Sequence, residues 1–240
     1  MRLSNWQGRG TDVERVFSIA IDGPSGAGKS TVARGVARRM GAMYLDTGAM
    51  YRAVALYMIR EGVPLKDARA VAQRCADADV RVCHAGDGAQ RVYLGQEDVS
   101  VAIRAENVSM AASAVSAVPE VRERMVALQR SIAQGHSVVM DGRDIGTKVL
   151  PDATLKVFLT APIDVRAQRR YEELRQRGME EPYQKVHDEL ARRDQVDTGR
   201  KASPLRKAED AVEIDCSQMT PDEVADLVAS LARKAMGESA

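Results

Sequence analysis

The stretch GPSGAGKS, residues 23 to 30, sets Gly23, Gly26 and Gly28 ahead of a lysine and a serine. Glycines at that spacing let successive backbone N–H groups converge on one anion, and a helix opening at the lysine adds a favourable dipole. The chemistry is phosphate holding: Lys29 reaches the β and γ phosphates of a nucleoside triphosphate, and the Ser30 hydroxyl takes Mg²⁺. A second charged stretch, VVMDGRDIGT (138 to 147), runs three apolar residues into a loop carrying Asp141, Arg143 and Asp144. Asp141 at a strand end beside such a loop suits a metal and its waters, whereas a salt-bridged turn is the plainer reading of the three charges.

A third cluster is LDTGAMYR, residues 45 to 52. In a helix opening at Thr47, Thr47 and Tyr51 are i, i+4 neighbours, as are Gly48 and Arg52. A hydroxyl, a phenol and a guanidinium therefore meet at one helix mouth, which suits a polar, anionic acceptor. The plainer alternative buries Tyr51 in the core and leaves Arg52 in solvent. Two arginine-rich runs follow, RAQRRYEELRQR (166 to 177) and RRDQVDTGRK (192 to 201). Arg193, Asp197 and Arg200 fall at i, i+4 and i+7, on one helical face. Either run alone reads as a solvated, salt-bridged helix. Beside a phosphate loop, an arginine lid would neutralise clustered phosphates and exclude water. A phosphate acceptor is already anionic and needs no strong base, so His84, His136 and His187 are read as structural.

The elements that must position these residues alternate. VFSIAI (16 to 21) reads as a buried strand, KSTVARGVARRM as a helix with Gly41 as C-cap, and AMYL (42 to 45) as a second strand. The spacing then predicts helices from an N-cap at Thr47 through Arg60 and over 67 to 77. Residues 79 to 101 read as an antiparallel meander with a glycine turn at AGDG. Further helices are expected over 119 to 134, 162 to 177, 183 to 195 and from Pro221, with strands at 137 to 140, 154 to 159 and 211 to 215. Apolar strands alternating with helices imply a parallel sheet covered on both faces.

Length and composition limit the alternatives. At 240 residues the chain suits one α/β domain with a small insert, at roughly 150 residues per domain. Lys+Arg 35 against Asp+Glu 34 gives a net charge of +1, which argues against a nucleic-acid or polybasic membrane binder. Three cysteines without a Cys-x-x-Cys pair point to a reduced, cytoplasmic setting rather than a disulfide or zinc framework. Residues 1 to 15 form a polar leader without the apolar segment of a signal peptide, and no run reads as a membrane span. There is no Asn/Thr-Lys-x-Asp base-reading motif of a GTPase, which leaves a kinase of small molecules as the expected class.

The stretches IAIDGPSGAGKST, YLDTGAMYRAVAL, MAASAVSAVPEVRE, VVMDGRDIGTKVLPDATLKVFL and RRDQVDTGR, in this order, resemble the bacterial cytidylate kinases, the (d)CMP branch of the nucleoside monophosphate kinases. The resemblance spans about residues 16 to 236. It implies a three-layer P-loop fold with a parallel sheet core (16 to 46, 119 to 165, 208 to 240). A monophosphate-binding region with a β insert (47 to 118) and an arginine-rich helical lid (166 to 207) complete it. It further implies transfer of the γ-phosphate of ATP to CMP or dCMP by a monomer that needs Mg²⁺. Gly23, Pro24, Ser25, Gly26, Ala27, Gly28, Lys29, Ser30 and Thr31 would hold ATP, and Ser30 with Asp141, through water, the metal. Thr47, Tyr51 and Arg52 would line the monophosphate site, with Arg52 and Arg143 on its phosphate. Ser113, Arg122 and Asp144 would read cytosine. Arg193, Asp197 and Arg200 would close from the lid, with Lys29, Arg193 and Arg200 stabilising the transition state. Arg166, Arg169 and Arg170 are further candidates for the donor phosphates. Rival readings are a kinase of UMP, AMP or shikimate, and a non-catalytic nucleotide sensor.

Overall fold

The computed structural model describes residues 16–84, 89–200 and 202–237; the polar leader and the AGDG turn lie outside the described residues. Five parallel strands form the central sheet: β1 (Ser18–Asp22), β2 (Met43–Asp46), β6 (Val138–Gly142), β7 (Leu155–Thr160) and β8 (Val212–Asp215), in the order β2-β6-β1-β7-β8. β1 lies at the centre, and side-chain alternation along it feeds two cores. Ile19 and Ile21 pack with Val139, Val157 and Leu159 against α1 (Lys29–Met40) and α8 (Pro221–Ala235). Ala20 points the other way, with Val138 and Met140, towards α2 (Thr47–Arg60), α4 (Glu106–Val115) and α5 (Pro119–Ala133). Strands buried on both faces explain the unbroken apolar runs.

The antiparallel insert is present as β3 (Val80–His84), β4 (Gln90–Leu94) and β5 (Glu97–Asp98). It is preceded by α3 (Ala68–Arg74) and a short 3₁₀ turn, Cys75–Asp77. Gln90 fastens this insert to the main sheet: its side chain accepts from Asp46 N (2.7 Å) and donates to Asp46 O (3.2 Å). The charged helices are α6 (Ile163–Gln176) and α7 (Tyr183–Gly199).

Three local expectations change. The N-cap of α2 is Asp46, whose carboxylate accepts from Ala49 N at 2.9 Å, so Thr47 is the first helical residue and its hydroxyl is free to cross to β6. α7 runs to Gly199, beyond the expected end at 195, and Arg200 is the extended residue that closes it rather than a member of its face. α4 has no counterpart among the expected helices, although its buried Val108, Ala111, Ala112 and Val115 recur at helical spacing.

Candidate functional site

The C-terminal ends of β1, β2 and β6 supply the site. After β1 the chain turns at Gly23, where φ is 150° and a Cβ would lie 2.0 Å from the Leu159 carbonyl oxygen, so only glycine fits there. Gly26 and Gly28 also take positive φ, 78° and 84°, and the loop delivers Lys29 to the first turn of α1. The buried Lys29 ammonium donates to Pro24 O at 2.7 Å. Burial and the neighbouring Arg143 pull its pKa down to about 7, against the carboxylates of Asp141, Asp197 and Asp22.

Asp141, at the end of β6, is held on every side. It accepts from the Ser30 hydroxyl (2.8 Å) and the Tyr44 phenol (2.8 Å), while its backbone carbonyl accepts from Thr47 Oγ1 (2.7 Å). Burial, with Asp46 beside it, pushes its carboxyl upward. A hydroxyl and a carboxylate in contact at the mouth of a phosphate loop form a hard oxygen donor set. No group of three His, Cys, Asp or Glu residues among the described residues makes a closed metal cage. Two protein oxygens with the remaining positions left to phosphate and water is the pattern Mg²⁺ prefers, so the residues fit that ion.

Around this centre the arginines are paired with carboxylates. Arg52 binds Asp46 at 2.9 Å. Arg143 reaches Asp197 (2.7 Å) with one nitrogen and the Ser25 hydroxyl (2.8 Å) with another. Arg200 binds the other oxygen of Asp197 at 2.6 Å and the Ser116 hydroxyl at 3.1 Å. Burial alone would raise the Asp197 carboxyl, but Arg143 and Arg200 more than offset it and hold the group below the usual range. Arg193 is half-buried, with no ion pair to another described residue. Burial and the nearby Arg143 pull its pKa down. Arg122 and Asp144, 5% and 4% exposed, form a buried ion pair; Arg122 also donates to Ser116 O (3.0 Å) and lies 5.3 Å over the Tyr51 ring. Burial raises the Tyr51 phenol to about 12, so it stays neutral.

The fold thus brings together Ser25, Lys29, Ser30, Thr47, Tyr51, Arg52, Arg122, Asp141, Arg143, Asp144, Asp197 and Arg200. Ser113 enters through its backbone: its carbonyl accepts from the Ser116 hydroxyl at 3.1 Å. The three candidate arginines of α6 separate. Arg166 donates to Ala161 O and Ser25 O (both 2.9 Å) and pairs with Asp194 (2.7 Å). Arg169 donates to Cys216 O at 2.7 Å, and Arg170 pairs with Glu173 of its own helix. Sequence reasoning missed Asp22, Tyr44, Asp46, Ser116 and Asp194. Asp22 and Asp46 carried one signal, each being an acidic residue that ends an apolar strand at the site's edge.

The family model for cytidylate kinase matches residues 19–234. A cytidylate kinase of Caldanaerobacter subterraneus subsp. tengcongensis is 50% identical over 222 residues, 92% of this chain and 97% of that protein. One of Mycobacterium avium is 49% identical over 217 residues, covering 90% and 95%. An uncharacterized protein from Eubacterium ventriosum ATCC 27560 has a similar fold, with a TM-score of 0.50 at 15% identity over 92% of this chain and 99% of that one. With the phosphate loop, the Ser30–Asp141 contact and the arginine ring in place, the match over nearly the whole described chain is decisive: this chain belongs to the cytidylate kinase family.

Proposed function

We infer that the chain transfers the γ-phosphate of ATP to CMP or dCMP, giving ADP and CDP or dCDP by direct in-line displacement. The carrying observation is the buried Asp144–Arg122 pair at the end of the strand that also bears Asp141. Cytosine presents an amino donor beside acceptor positions, which a carboxylate next to a guanidinium matches; uracil presents a carbonyl where the donor stood. A carboxylate left facing that carbonyl costs on the order of 1 to 3 kcal/mol, which favours CMP over UMP.

The remaining residues divide by substrate. Gly23 to Thr31 wrap the ATP phosphates, with Lys29 on the β and γ groups. Ser30 and Asp141 would hold Mg²⁺, Asp141 through water, and the bound ion would supply charge neutralisation to the phosphates. Arg52 and Arg143 exchange their carboxylate partners Asp46 and Asp197 for the acceptor phosphate, while Thr47 and Tyr51 line its site. Arg193 and Arg200 come from the lid with Asp197, on phosphates and sugar, and Ser113 completes the base site with Arg122. Arg193, half-buried and without an ion pair to another described residue, supports a role on phosphate. No side chain need act as base towards an acceptor that is already anionic. The three histidines support this: His84 lies against Tyr44 O, His136 against Gln134 O, and His187 beside Asp164 and Asp188. Core (16 to 46, 119 to 165, 208 to 240), monophosphate region (47 to 118) and lid (166 to 207) are the moving parts of this reading, in a cytoplasmic monomer. Its three cysteines are free, as that compartment requires.

The test is a coupled ADP-release assay with ATP and Mg²⁺ against CMP, dCMP, UMP, AMP and shikimate. A cytidine nucleotide should give the highest kcat/KM, and chelating the metal should abolish turnover. A better acceptor among the other three would refute the assignment.

A further inference from the structure

Asp22 is the last residue of β1 and immediately precedes the phosphate loop, yet its carboxylate makes no ion pair with a described residue. It is 5% exposed, and its two oxygens accept from two successive backbone N–H groups: Ile145 N on Oδ1 and Gly146 N on Oδ2, both at 2.8 Å. Those N–H groups open a single π-helical turn, Ile145–Val149, directly after Asp144. Helix openings leave such donors unpaired, and a buried carboxylate satisfies two of them at once.

The peptide joining Asp144 to Ile145 is consequently pinned at both ends. Its N–H is taken by Asp22, and its carbonyl accepts from Lys148 N at 2.8 Å. Asp144 itself has φ −141° and ψ 26° and leads directly into this turn. Its side chain is then free to choose only among partners within reach of that fixed position, and it takes Arg122. The turn holds the Asp144 carbonyl through Lys148 N, Val149 N and Thr147 Oγ1, and Asp22 holds the N–H groups of the two residues that follow Asp144.

We propose that Asp22 is the positioning residue for base selection: from the root of the ATP loop it fixes the backbone of Asp144, and so the direction of the carboxylate that discriminates cytosine from uracil. This rests on Asp144 reading the base. The residue that anchors the donor loop thereby sets the register of the acceptor site, through two hydrogen bonds and no side chain in between. An asparagine is nearly the same size but offers one acceptor oxygen and turns an amide N–H₂ towards the second backbone donor.

The experiment measures kcat/KM for CMP and UMP, and KM for ATP, in the unsubstituted enzyme, Asp22→Asn and Asp144→Ala. Loss of fold lowers both acceptors alike, whereas misdirection of Asp144 lowers their ratio. Asp22→Asn is expected to cut the CMP-to-UMP ratio about tenfold, the effect of one lost charge-assisted hydrogen bond, with KM for ATP changed less than about twofold. If Asp144→Ala collapses the ratio and Asp22→Asn leaves it intact, the role given to Asp22 is wrong while the base-reading assignment stands. If Asp144→Ala itself keeps the ratio, the base-reading assignment fails first. A raised KM for ATP with an intact ratio would place Asp22 in donor binding and likewise overturn the proposal. Should Asp22→Asn not fold, amide exchange in the unsubstituted enzyme decides. Strongly protected Ile145 and Gly146 N–H groups support the contact, and exchange at solvent rates removes it.

Discussion

Two buried aspartates beside one another carry opposite instructions. Asp144 is compensated by a guanidinium, whereas Asp22 has only backbone N–H groups, and burial pushes its pKa up to about 6 from 3.8 despite them. Asp144 adds to the rise and Lys29 opposes it. A carboxyl with a raised folded pKa binds its proton more tightly in the native state. Its contribution to stability is therefore complete below about pH 4 and is lost as pH rises through about 6. The shift corresponds to about 3 kcal/mol. We predict that Asp22→Asn removes this component: the difference in unfolding free energy between the two proteins should change by that order between pH 4 and 7 and stay flat above it. Thermal or denaturant unfolding at several pH values measures it, and a pH-independent difference would contradict the assignment. Such tension between charge and burial is tolerated where a carboxylate has positional work to do.

Among the elements, α7 and the phosphate loop are tied more closely than either sequence stretch suggests. Asp194 and Asp197, three apart on α7, hold Arg166 and Arg143, and these grip the carbonyl and the hydroxyl of the same residue, Ser25. The phosphate loop and α7 are thus coupled through one residue. Replacing Asp194 with asparagine removes one ionic arm while Arg166 keeps its two carbonyls. The expected result is several-fold faster amide exchange across 183–199 with α1 unchanged, as for a locally loosened unit. Equal acceleration in both helices would argue for a general loss of stability instead. A comparable tie fastens the insert. Removing the Gln90 amide leaves Asp46 N–H and C=O without their partner, so Gln90→Ala should cost about 1 to 3 kcal/mol. It should also raise KM for the acceptor through Asp46 and its partner Arg52; an unchanged unfolding midpoint would show that solvent replaces the amide freely.

At the scale of the whole molecule, five parallel strands bring residues from opposite ends of the chain to one rim, where nearly every arginine is balanced by a carboxylate. That balance agrees with a net charge of +1: positive charge is concentrated at this rim and compensated there. The sequence by itself determined the phosphate loop, because glycine spacing and the following lysine act locally on backbone conformation. It likewise determined the alternating strands and helices, whose apolar periods record which faces are covered, and the antiparallel insert, whose short alternating strands break the pattern. It placed Thr47 and Arg52 near one helix mouth, Asp141, Arg143 and Asp144 just past a strand, and Asp197 on a helical face. Only the tertiary structure decided which charge meets which. Arg166 turned to Ser25 and Asp194, Arg200 left its helical face to meet Asp197, and Asp46 rather than Thr47 capped α2. Asp22 showed in the sequence only as an acidic strand end, because its partners are backbone N–H groups 123 and 124 positions away, which any residue type supplies. Periodicity reports burial and local spacing reports turns, but pairing across the sheet depends on register, and register is settled only when all the strands pack together.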